Sequence, residues 1–432
     1  MRIIIIGGSF AGIYAAISLR KSCPDSEIVL LEKQANIGFI PSGINLFLKE
    51  KLTKTSQLYW MSTEELEALY NIDVQLHTEV VALGIKTKKL FIKDGRQLSF
   101  DILVIATGSS QQFKKVINNT HICSVKEIHL KESLEQSLKK ANKIAVVGAG
   151  QVGLELAEGL YQQKKEIHLY ESHKTLLFRY FDSEMVEPLK KELIKRNIPV
   201  WLNEQVQSLM VEEQKVIVET DKRSEKYDLV LLANHTRPDY RIWPDQLKLN
   251  DDGTIWVDEY LQTSVKDIYA IGDAIQVTFQ PTKEKMYVSL VSNAIRTAQV
   301  VSQTISGIPK KDSGTYRAIG NYWFGHFLGS VGLTEEESIF YLQPVIKKYL
   351  VTQLSATKCQ EAKIKVICNE KGQLLGVQLH SQGELFYLLD QLTLAVEEKW
   401  TLEKLLEHEL FFQPEYRMPI QMLKAVDTIH ED

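Results

Sequence analysis

The chain has 432 residues, of which 44% are hydrophobic and 25% are charged, and its formal net charge is −4 with a sequence pI of about 6.3. This length exceeds what one hydrophobic core holds and predicts two or three domains. Because the charge shows no basic excess, we expect neither nucleic acid nor a membrane as the main partner. The sequence has no run of 18 apolar residues and no signal-peptide pattern, which favours a cytoplasmic protein.

The first 32 residues predict a strand, a glycine-rich turn, a helix and a second strand. Four isoleucines at 3–6 are typical of a buried parallel strand. The turn Gly7-Gly8-Ser9-Phe10-Ala11-Gly12 follows, and then come a helix over 13–21 and a strand over 27–31 that ends at Glu32. This is the order of a unit that binds a dinucleotide.

The same unit returns later in the chain. Its parts are a strand at 144–147, the turn Gly148-Ala149-Gly150-Gln151-Val152-Gly153, a helix at 154–163 and a strand at 166–170 that ends at Glu171. In such a turn the first glycine permits the tight backbone, the second lets the chain approach a pyrophosphate, and the third lets the helix pack on the strand. The second copy has all three glycines, whereas Ser9 takes the middle position in the first copy.

Each copy is followed by a further strand that begins with aspartate, at 101–108 and at 228–234, so the repeat covers a whole domain. A third strand of this type at 267–274 has no unit in front of it. This pattern indicates that the second domain is inserted in the first. The chain returns to complete the first domain at about residue 240.

From about residue 315 the pattern changes. Segments 363–368 and 374–380 flank a turn and predict a β-hairpin, and 387–397 and 401–408 read as amphipathic helices. The fold class is therefore α/β with two Rossmann-like domains and a separate α+β domain. The expected division is 1–115 with 240–314 for the first domain, 116–239 for the second and 315–432 for the third.

Glu32 and Glu171 stand where a carboxylate accepts hydrogen bonds from a ribose 2′-hydroxyl in a dinucleotide-binding unit. A 2′-phosphate would be repelled there, so NADH is favoured over NADPH. His173 and Lys174 follow the second glutamate closely and leave the choice of NADPH open.

Five motifs together resemble those of the flavoprotein pyridine nucleotide–disulfide oxidoreductases, in the branch of NADH oxidase, NADH peroxidase and coenzyme A disulfide reductase. They are Gly7-x-Ser9-x-Ala11-Gly12, Ala106-Thr107-Gly108, Gly148-x-Gly150-x-x-Gly153-x-Glu155, Ile271-Gly272-Asp273-Ala274 and Phe411-Phe412-Gln413-Pro414. The resemblance covers nearly the whole chain. It implies FAD in the first domain, NAD(H) in the second and a homodimer formed through the third.

The resemblance also implies site residues. Those for FAD are Gly7, Ser9, Ala11, Gly12, Glu32, Lys33, Thr107, Gly108, Asp273 and Ala274. Those for NAD are Gly148, Gly150, Gln151, Val152, Gly153 and Glu171. In relatives the aspartate at position 273 binds the ribityl chain of the flavin, the glutamate at position 155 lies near the nicotinamide, and the 411–414 segment reaches toward the flavin of the partner subunit.

The chain departs from the family pattern at the redox centre. Ser42 falls where this branch has its redox cysteine, and Phe10 falls where the oxidases and peroxidases usually have a histidine. Gln151 replaces a tyrosine that often covers the flavin, and His235 adds bulk that is expected to crowd the NAD site. The catalytic positions are therefore Ser42, Phe10 and Glu155, two of them with changed chemistry.

Ser42 precedes a predicted helix at 43–50, and we expect it to act as the N-cap of that helix. A serine cannot form a sulfenic acid or a mixed disulfide, and Phe10 offers no base to activate it. The remaining chemistry is hydride transfer from NADH to FAD, followed by electron transfer to oxygen, giving hydrogen peroxide, or to a small acceptor such as a quinone.

Three alternatives remain open from the sequence. In the first alternative the electron acceptor is an electron-carrier protein. In the second the chain is a sensor that binds FAD and NAD with little turnover. In the third alternative one of the four widely spaced cysteines has a hidden redox role, with Cys359 as the first candidate.

Overall fold

The computed structural model describes residues 1–52, 54–111, 121–124, 131–234, 236–239, 241–341, 343–358, 360–418 and 420–427. Its first sheet is parallel and five-stranded. In spatial order the strands are Ile268–Ala270, Ile102–Ile105, Arg2–Ile6, Glu27–Leu31 and Asp73–Gln75. All four isoleucines of the central strand, at 3–6, are buried, as expected for a parallel sheet that is covered on both faces.

The second sheet repeats this arrangement with five parallel strands. In spatial order they are Ile122–Ser124, Leu229–Leu232, Lys143–Val147, Glu166–Tyr170 and Val200–Trp201. In both sheets the central strand pairs with the strand that ends at the glutamate. The α/β class with two Rossmann-like sheets is thereby confirmed.

Each sheet has one edge strand, named first in its spatial order, that comes from outside the sequence of the repeated unit. Ile268–Ala270 joins the first sheet from after the second unit, whereas Ile122–Ser124 joins the second sheet from before it. Between the two units the chain crosses at Ser110–Gln111 and at Thr236–Arg237, and these two segments pair as a short antiparallel ribbon. The expected domain boundaries near residues 115 and 240 lie outside the described residues.

The nucleotide helices begin earlier than predicted. The structure gives Phe10–Ser22 and Gln151–Gln162 instead of 13–21 and 154–163. The prediction placed the third glycine of each turn before the helix, but Gly12 and Gly153 lie within its first turn. The strands at 27–31 and 166–170 have the predicted bounds.

The remaining elements of the two α/β units cover the sheets. The helices are Gly43–Leu48, Thr63–Tyr70, Lys131–Lys140, Ser183–Lys195 and Val291–Ile305. The antiparallel strands are Val80–Gly84, Lys89–Ile92, Gln97–Ser99, Val206–Glu212, Lys215–Thr220, Ser224–Tyr227, Val277–Thr278 and Lys285–Met286. Short 3₁₀ turns lie at Thr55–Leu58 and Gly272–Ala274.

The third sheet is antiparallel and six-stranded. Its strands in spatial order are Ile319–Trp323, His326–Gly332, Leu374–Ser381, Glu361–Asn369, Val345–Gln353 and Lys424–Val426. The helices Phe386–Glu397 and Leu402–Leu406 and the 3₁₀ turns Glu336–Phe340 and Ile420–Met422 accompany it. The predicted hairpin is confirmed at the centre of this sheet, with longer strands. Among the described helices, none is both long and apolar enough to cross a membrane.

Candidate active site

The two glycine turns have nearly the same backbone. Gly7 and Gly148 have φ values of +111° and +107°, a conformation that disfavours any side chain. A Cβ on Gly12 would lie 1.8 Å from the carbonyl oxygen of Gly7, and a Cβ on Gly153 would lie 1.8 Å from that of Gly148. These contacts explain why the first and third positions of both turns are glycine.

The middle position obeys a different rule. Ser9 and Gly150 both have extended backbones, with φ of −103° and −79°, which any residue adopts. Within the described chain, a Cβ built on Gly150 has no neighbour within 4 Å. The space over the second turn is therefore open to a pyrophosphate, and the protein itself tolerates Ser9 at the equivalent place in the first turn.

The two strand-end glutamates hold their turns in the same way. The N–H of Gly8 donates to Oε2 of Glu32 at 2.7 Å, and the N–H of Ala149 donates to Oε2 of Glu171 at 2.9 Å. Because each carboxylate binds the N–H of its own turn, its position beside that turn is fixed. Lys33, beside the first glutamate, is exposed and close enough to Asp239 to lower the pKa of that carboxyl, an effect that comes after the larger contribution of Arg241.

The second oxygen of each glutamate accepts from the N–H two residues further on, which for Glu32 is that of Gln34 at 2.8 Å, and Glu171 adds a histidine side-chain contact. Glu171 is 6% exposed, and its Oε1 accepts from the N–H of His173 at 2.9 Å and contacts the Nδ1 of the same histidine at 2.9 Å. The imidazole also stacks on Phe178 with ring centroids 3.3 Å apart. Lys174 forms an ion pair with Glu336 at 2.7 Å. The two basic residues that left the choice of NADPH open are therefore both in contact with carboxylates. His173 contacts Glu171 itself, and Lys174 pairs with Glu336 of the third unit.

Asp273 lies at the end of the first sheet, in the turn opened by Gly272 at φ +63°. Its Oδ2 accepts from the hydroxyls of Ser109, at 3.1 Å, and Ser289. The Tyr287 hydroxyl donates to Ser109 Oγ at 2.8 Å and lies 3.2 Å from Thr236 Oγ1. A chain of hydroxyl groups therefore leads from Asp273 to the ribbon between the units.

Further residues that the resemblance assigns to nucleotide binding differ in their exposure. Ala274 and Ala11 are buried, and Thr107 and Val152 are exposed at least in part. Gly108 has φ +65°, and in the described chain a Cβ there would meet no atom within 4 Å. The open space at Gly108 and the fixed carboxylate of Glu32 fit a dinucleotide at the first sheet, as Gly150 and Glu171 do at the second.

Gln151, at the start of the second nucleotide helix, is hydrogen-bonded to the hydroxyl of Tyr180. Burial raises the pKa of that phenol, so it stays protonated. The tyrosine that the family often has at position 151 is replaced here by an amide tied to a tyrosine from elsewhere in the same unit. His235, which was expected to crowd the NAD site, lies outside the described residues.

Ser42 stands at the N-cap position of the helix Gly43–Leu48, which we name the Ser42 helix. The predicted capping was wrong: among the described residues the side chain makes no capping hydrogen bond. The reason is the backbone, because ψ of −12° is helical, whereas a capping side chain requires an extended residue. The helix also ends two residues before the predicted Glu50. The Ser42 side chain is exposed.

Phe10 is packed as an aromatic residue. Its ring stacks on Trp60 with centroids 5.3 Å apart and planes at 13°, and Tyr14 stacks on the same indole at 5.3 Å. Phe10 and Tyr14 lie one turn apart on the first nucleotide helix, so Trp60 bridges both. The Phe10 ring is therefore part of an aromatic stack.

Glu155 lies where three segments meet. Its two carboxylate oxygens accept from the amide groups of Asn45, on the Ser42 helix, and Asn321, on the first strand of the third sheet. Burial raises the pKa of Glu155, while the hydrogen bond from Asn321 and the charge of Lys49 act in the opposite direction. The carboxyl group therefore changes its protonation at a higher pH than an ordinary glutamate.

One turn further along the second nucleotide helix, Glu158 makes a second junction. It forms an ion pair with Lys49 and accepts from the N–H of Phe324 at 2.9 Å. Sequence reasoning missed Asn45, Lys49 and Glu158, although the spacing of Glu155 and Glu158 places both on one helix face. Asn321 is 166 positions from its partner, and no local signal points to it.

Two of the described cysteines, Cys123 and Cys368, are poor redox candidates. Burial raises the pKa of the Cys123 thiol to about 11, and burial also raises that of Cys368. Both therefore remain thiols, which are weak nucleophiles. Cys23 caps the end of the first nucleotide helix, and Cys359 lies outside the described residues.

A family model for pyridine nucleotide-disulphide oxidoreductases matches residues 1–298. The NADH oxidase of Enterococcus faecalis is 28% identical over 99% of this chain and 98% of its own length. The NAD(P)H sulfur oxidoreductase (CoA-dependent) of Pyrococcus abyssi is 26% identical over 87% of this chain and 86% of its own.

Two solved structures are similar over nearly the full length. A pyridine nucleotide-disulfide family oxidoreductase from Enterococcus faecalis has a TM-score of 0.85 and 31% identity, covering 98% of this chain and 97% of that one. The water-forming NADH oxidase of Lactobacillus brevis, bound to NADH, has a TM-score of 0.91 and 24% identity over 97% and 95%. The chain therefore belongs to the pyridine nucleotide-disulphide oxidoreductase family and is an oxidoreductase that uses FAD and NAD(P)H.

Proposed function

We propose that the enzyme passes a hydride from NADH to FAD and then two electrons to oxygen, or to a small acceptor such as a quinone, without a redox cysteine. With oxygen the balance is NADH + H⁺ + O₂ → NAD⁺ + H₂O₂. The observation that carries this proposal is the pair of changes at the redox centre: an exposed Ser42 hydroxyl, and a Phe10 ring stacked on Trp60. A serine hydroxyl forms no sulfenic acid, so oxygen cannot be reduced to water through a sulfenic acid at this position.

Bound FAD supplies the two-electron chemistry between a hydride donor and the acceptor. The first turn, from Gly7 to Gly12, is proposed to hold its pyrophosphate, with Glu32 at the ribose and Asp273 at the ribityl chain. The hydroxyls of Ser109 and Ser289 both donate to Asp273 and so fix the direction of its carboxylate.

The second turn is proposed to hold NAD(H). Gly150 leaves open space, and Glu171 is fixed at the ribose position by the N–H groups of Ala149 and His173. A buried carboxylate at this place repels a 2′-phosphate, which supports NADH as the preferred donor. Glu155, on the same helix, is proposed to lie beside the nicotinamide.

We further propose that residues 315–432 join two copies of the chain. Phe411 and Phe412 are 63% and 50% exposed, and Ile339 is 78% exposed, so this unit presents apolar side chains to its surroundings. The division into 1–115 with 240–314, 116–239 and 315–432 is part of the same proposal.

The proposed location is the cytoplasm, since the cysteines Cys23, Cys123, Cys359 and Cys368 are far apart in the sequence.

The test is the amount of hydrogen peroxide formed per NADH consumed by the FAD-loaded protein in air. A ratio near one, abolished by added catalase, is the expected result. NADH consumption without peroxide would contradict the proposal and direct attention to a hidden cysteine. If NADH is not consumed in air, anaerobic bleaching of the flavin by NADH separates a specific acceptor from a sensor with little turnover.

A further inference from the structure

The junction around Glu155 joins three separate parts of the chain. Asn45 reaches it from the Ser42 helix and Asn321 from the third sheet, and each donates to a different carboxylate oxygen. An ionised carboxylate accepts on both oxygens, so the two amide donors suit the charged form. A protonated carboxyl has one O–H that needs an acceptor instead.

The Ser42 helix is held closely against the second nucleotide helix. A Cβ on Gly159 would lie 2.7 Å from the Cβ of Leu48, and the side-chain amide of Gln163 donates to the Leu48 carbonyl at 3.0 Å. Lys49 is paired with Glu158 at the same contact. These contacts keep Asn45 within reach of Glu155, so the amide can rotate in place when the carboxylate gains or loses a proton.

The charges that face Glu155 come from two of the three segments. Lys49 lies on the Ser42 helix and Glu158 on the helix of Glu155 itself, whereas the strand from the third sheet contributes the neutral Asn321. Lys49 and Glu158 are paired with each other. Burial outweighs the remaining attraction, so the protonated form of Glu155 is accessible at a higher pH than for an exposed glutamate.

The two asparagines differ in their second amide atom. The Oδ1 of Asn321 accepts from the N–H of Tyr322 at 2.8 Å, which fixes the direction of that amide. Asn45 is 3% exposed, and among the described residues its Oδ1 has no hydrogen-bond partner. A half-turn of the Asn45 amide would therefore break no bond at Oδ1 and would present this oxygen to Glu155.

We propose that Asn45 is a positioning residue whose amide turns over when Glu155 gains or loses a proton, so that the Ser42 helix stays attached in both states. With Glu155 ionised, Asn45 donates through Nδ2. With Glu155 protonated, Asn45 accepts the acid proton through Oδ1. The junction thus stores one proton beside the proposed nicotinamide position without releasing the helix. This inference does not depend on the identity of the electron acceptor.

The test uses the FAD-loaded full chain and two readouts over pH 5–9. Infrared spectroscopy follows the C=O band of protonated Glu155, assigned by its loss in Glu155→Gln. Hydrogen exchange follows the amides of the Ser42 helix. In the natural protein we expect the band to titrate above the ordinary carboxyl range, with exchange corrected for its intrinsic pH dependence unchanged across that titration.

Asn45→Leu and the matched control Asn321→Leu each remove one donor from the carboxylate. Both should move the midpoint of the band upward, by about one pH unit. Only Asn45→Leu should make exchange of the Ser42 helix faster, and it should do so on both sides of the titration, because leucine can neither donate to the carboxylate nor accept from the protonated acid. Asn45→Ala repeats the loss without added bulk if the leucine variant folds poorly. Equal exchange behaviour in the Asn45 and Asn321 variants, or the absence of a titrating Glu155 band, would overturn the proposal.

Discussion

The ammonium group of Lys365 lies 2.8 Å from the carboxylate of Asp182 and joins the third sheet to the start of the helix Ser183–Lys195. Lys365 is 0% exposed and also pairs with Glu184 and with Glu335. The three carboxylates come within 4.8 Å of one another, a spacing that suits a metal ion, but the lysine occupies their centre. Burial disfavours its charge, yet the attraction of Asp182 prevails and raises its pKa.

Replacing Lys365 by methionine should therefore destabilise the fold strongly. The change leaves three acidic groups close together without their buried cation, and the expected loss in free energy of unfolding is about 3–5 kcal/mol. Chemical denaturation measures it. Lys347→Met is the matched control, since the ion pair that this partly exposed lysine forms within the described chain is with Glu335, and its loss should cost about 1 kcal/mol or less. Equal losses for the two variants would contradict this account.

Alanine at Gly150 and at Gly153 should separate binding from folding. The protein leaves space for a methyl group at Gly150, so Gly150→Ala should keep its thermal stability but weaken NADH binding about tenfold by obstructing the pyrophosphate. At Gly153 the methyl group would overlap the carbonyl of Gly148, and Gly153→Ala should lower the melting temperature. Calorimetry and NADH titration measure both. Unchanged NADH affinity in Gly150→Ala would show that the nucleotide lies elsewhere.

Ser42→Ala should have almost no effect on the reaction. The side chain is exposed and caps no N–H group in the described structure, so its removal should change NADH turnover and the peroxide yield by less than about twofold. Steady-state kinetics with a peroxide assay provide the measurement. A loss of tenfold or more would mean that the hydroxyl takes part in the reaction after all.

Stability should depend on pH through Glu155. Because burial raises its pKa in the folded state, the folded chain holds a proton that the unfolded chain releases. The free energy of unfolding contributed by this group is highest below the ordinary carboxyl pKa and is lost as pH rises through the raised value, by up to about 1.4 kcal/mol per pH unit. Glu155→Gln should remove this slope. Parallel stability curves for the two proteins would rule the effect out.

Tyr287→Phe should weaken FAD binding. The tyrosine hydroxyl donates to Ser109, which in turn donates to Asp273, so its loss leaves that aspartate less firmly oriented. We expect a three- to tenfold rise in the FAD dissociation constant, the effect of about 1 kcal/mol. Fluorescence titration of the apoprotein measures it. Tyr316→Phe, which removes a hydroxyl bonded to the Glu397 carbonyl, serves as the control and should bind FAD normally.

The sequence was most informative where structure is local. The turns at Gly7 and Gly148 and the strands that end at Glu32 and Glu171 follow from short-range patterns, because a positive φ and a tight helix contact leave glycine as the suitable residue. The helix starts were three residues late because the third glycine was placed outside the helix. The capping role given to Ser42 failed because capping depends on a backbone angle that residue type does not specify.

The long-range parts of the site could not be predicted. Glu155 meets Asn321 across 166 positions, and Phe10 meets Trp60 through a packing that residue patterns do not encode. Lys365 is a strand residue of ordinary polar appearance, and its burial depends on acidic groups that come from two other segments. Such contacts are set by tertiary packing, which overrides local preference.

The return of the chain at Ile268–Ala270 has a consequence for synthesis on the ribosome. The first sheet pairs this strand with Ile102–Ile105, which is made roughly 160 residues earlier. At about 5–20 residues per second, the unfinished sheet edge waits on the order of ten seconds or longer for its last strand. The second unit, in contrast, has all five of its strands once Leu232 has emerged. The later unit along the chain is therefore expected to fold first, and a nascent-chain release experiment should find it protease-resistant before the earlier one.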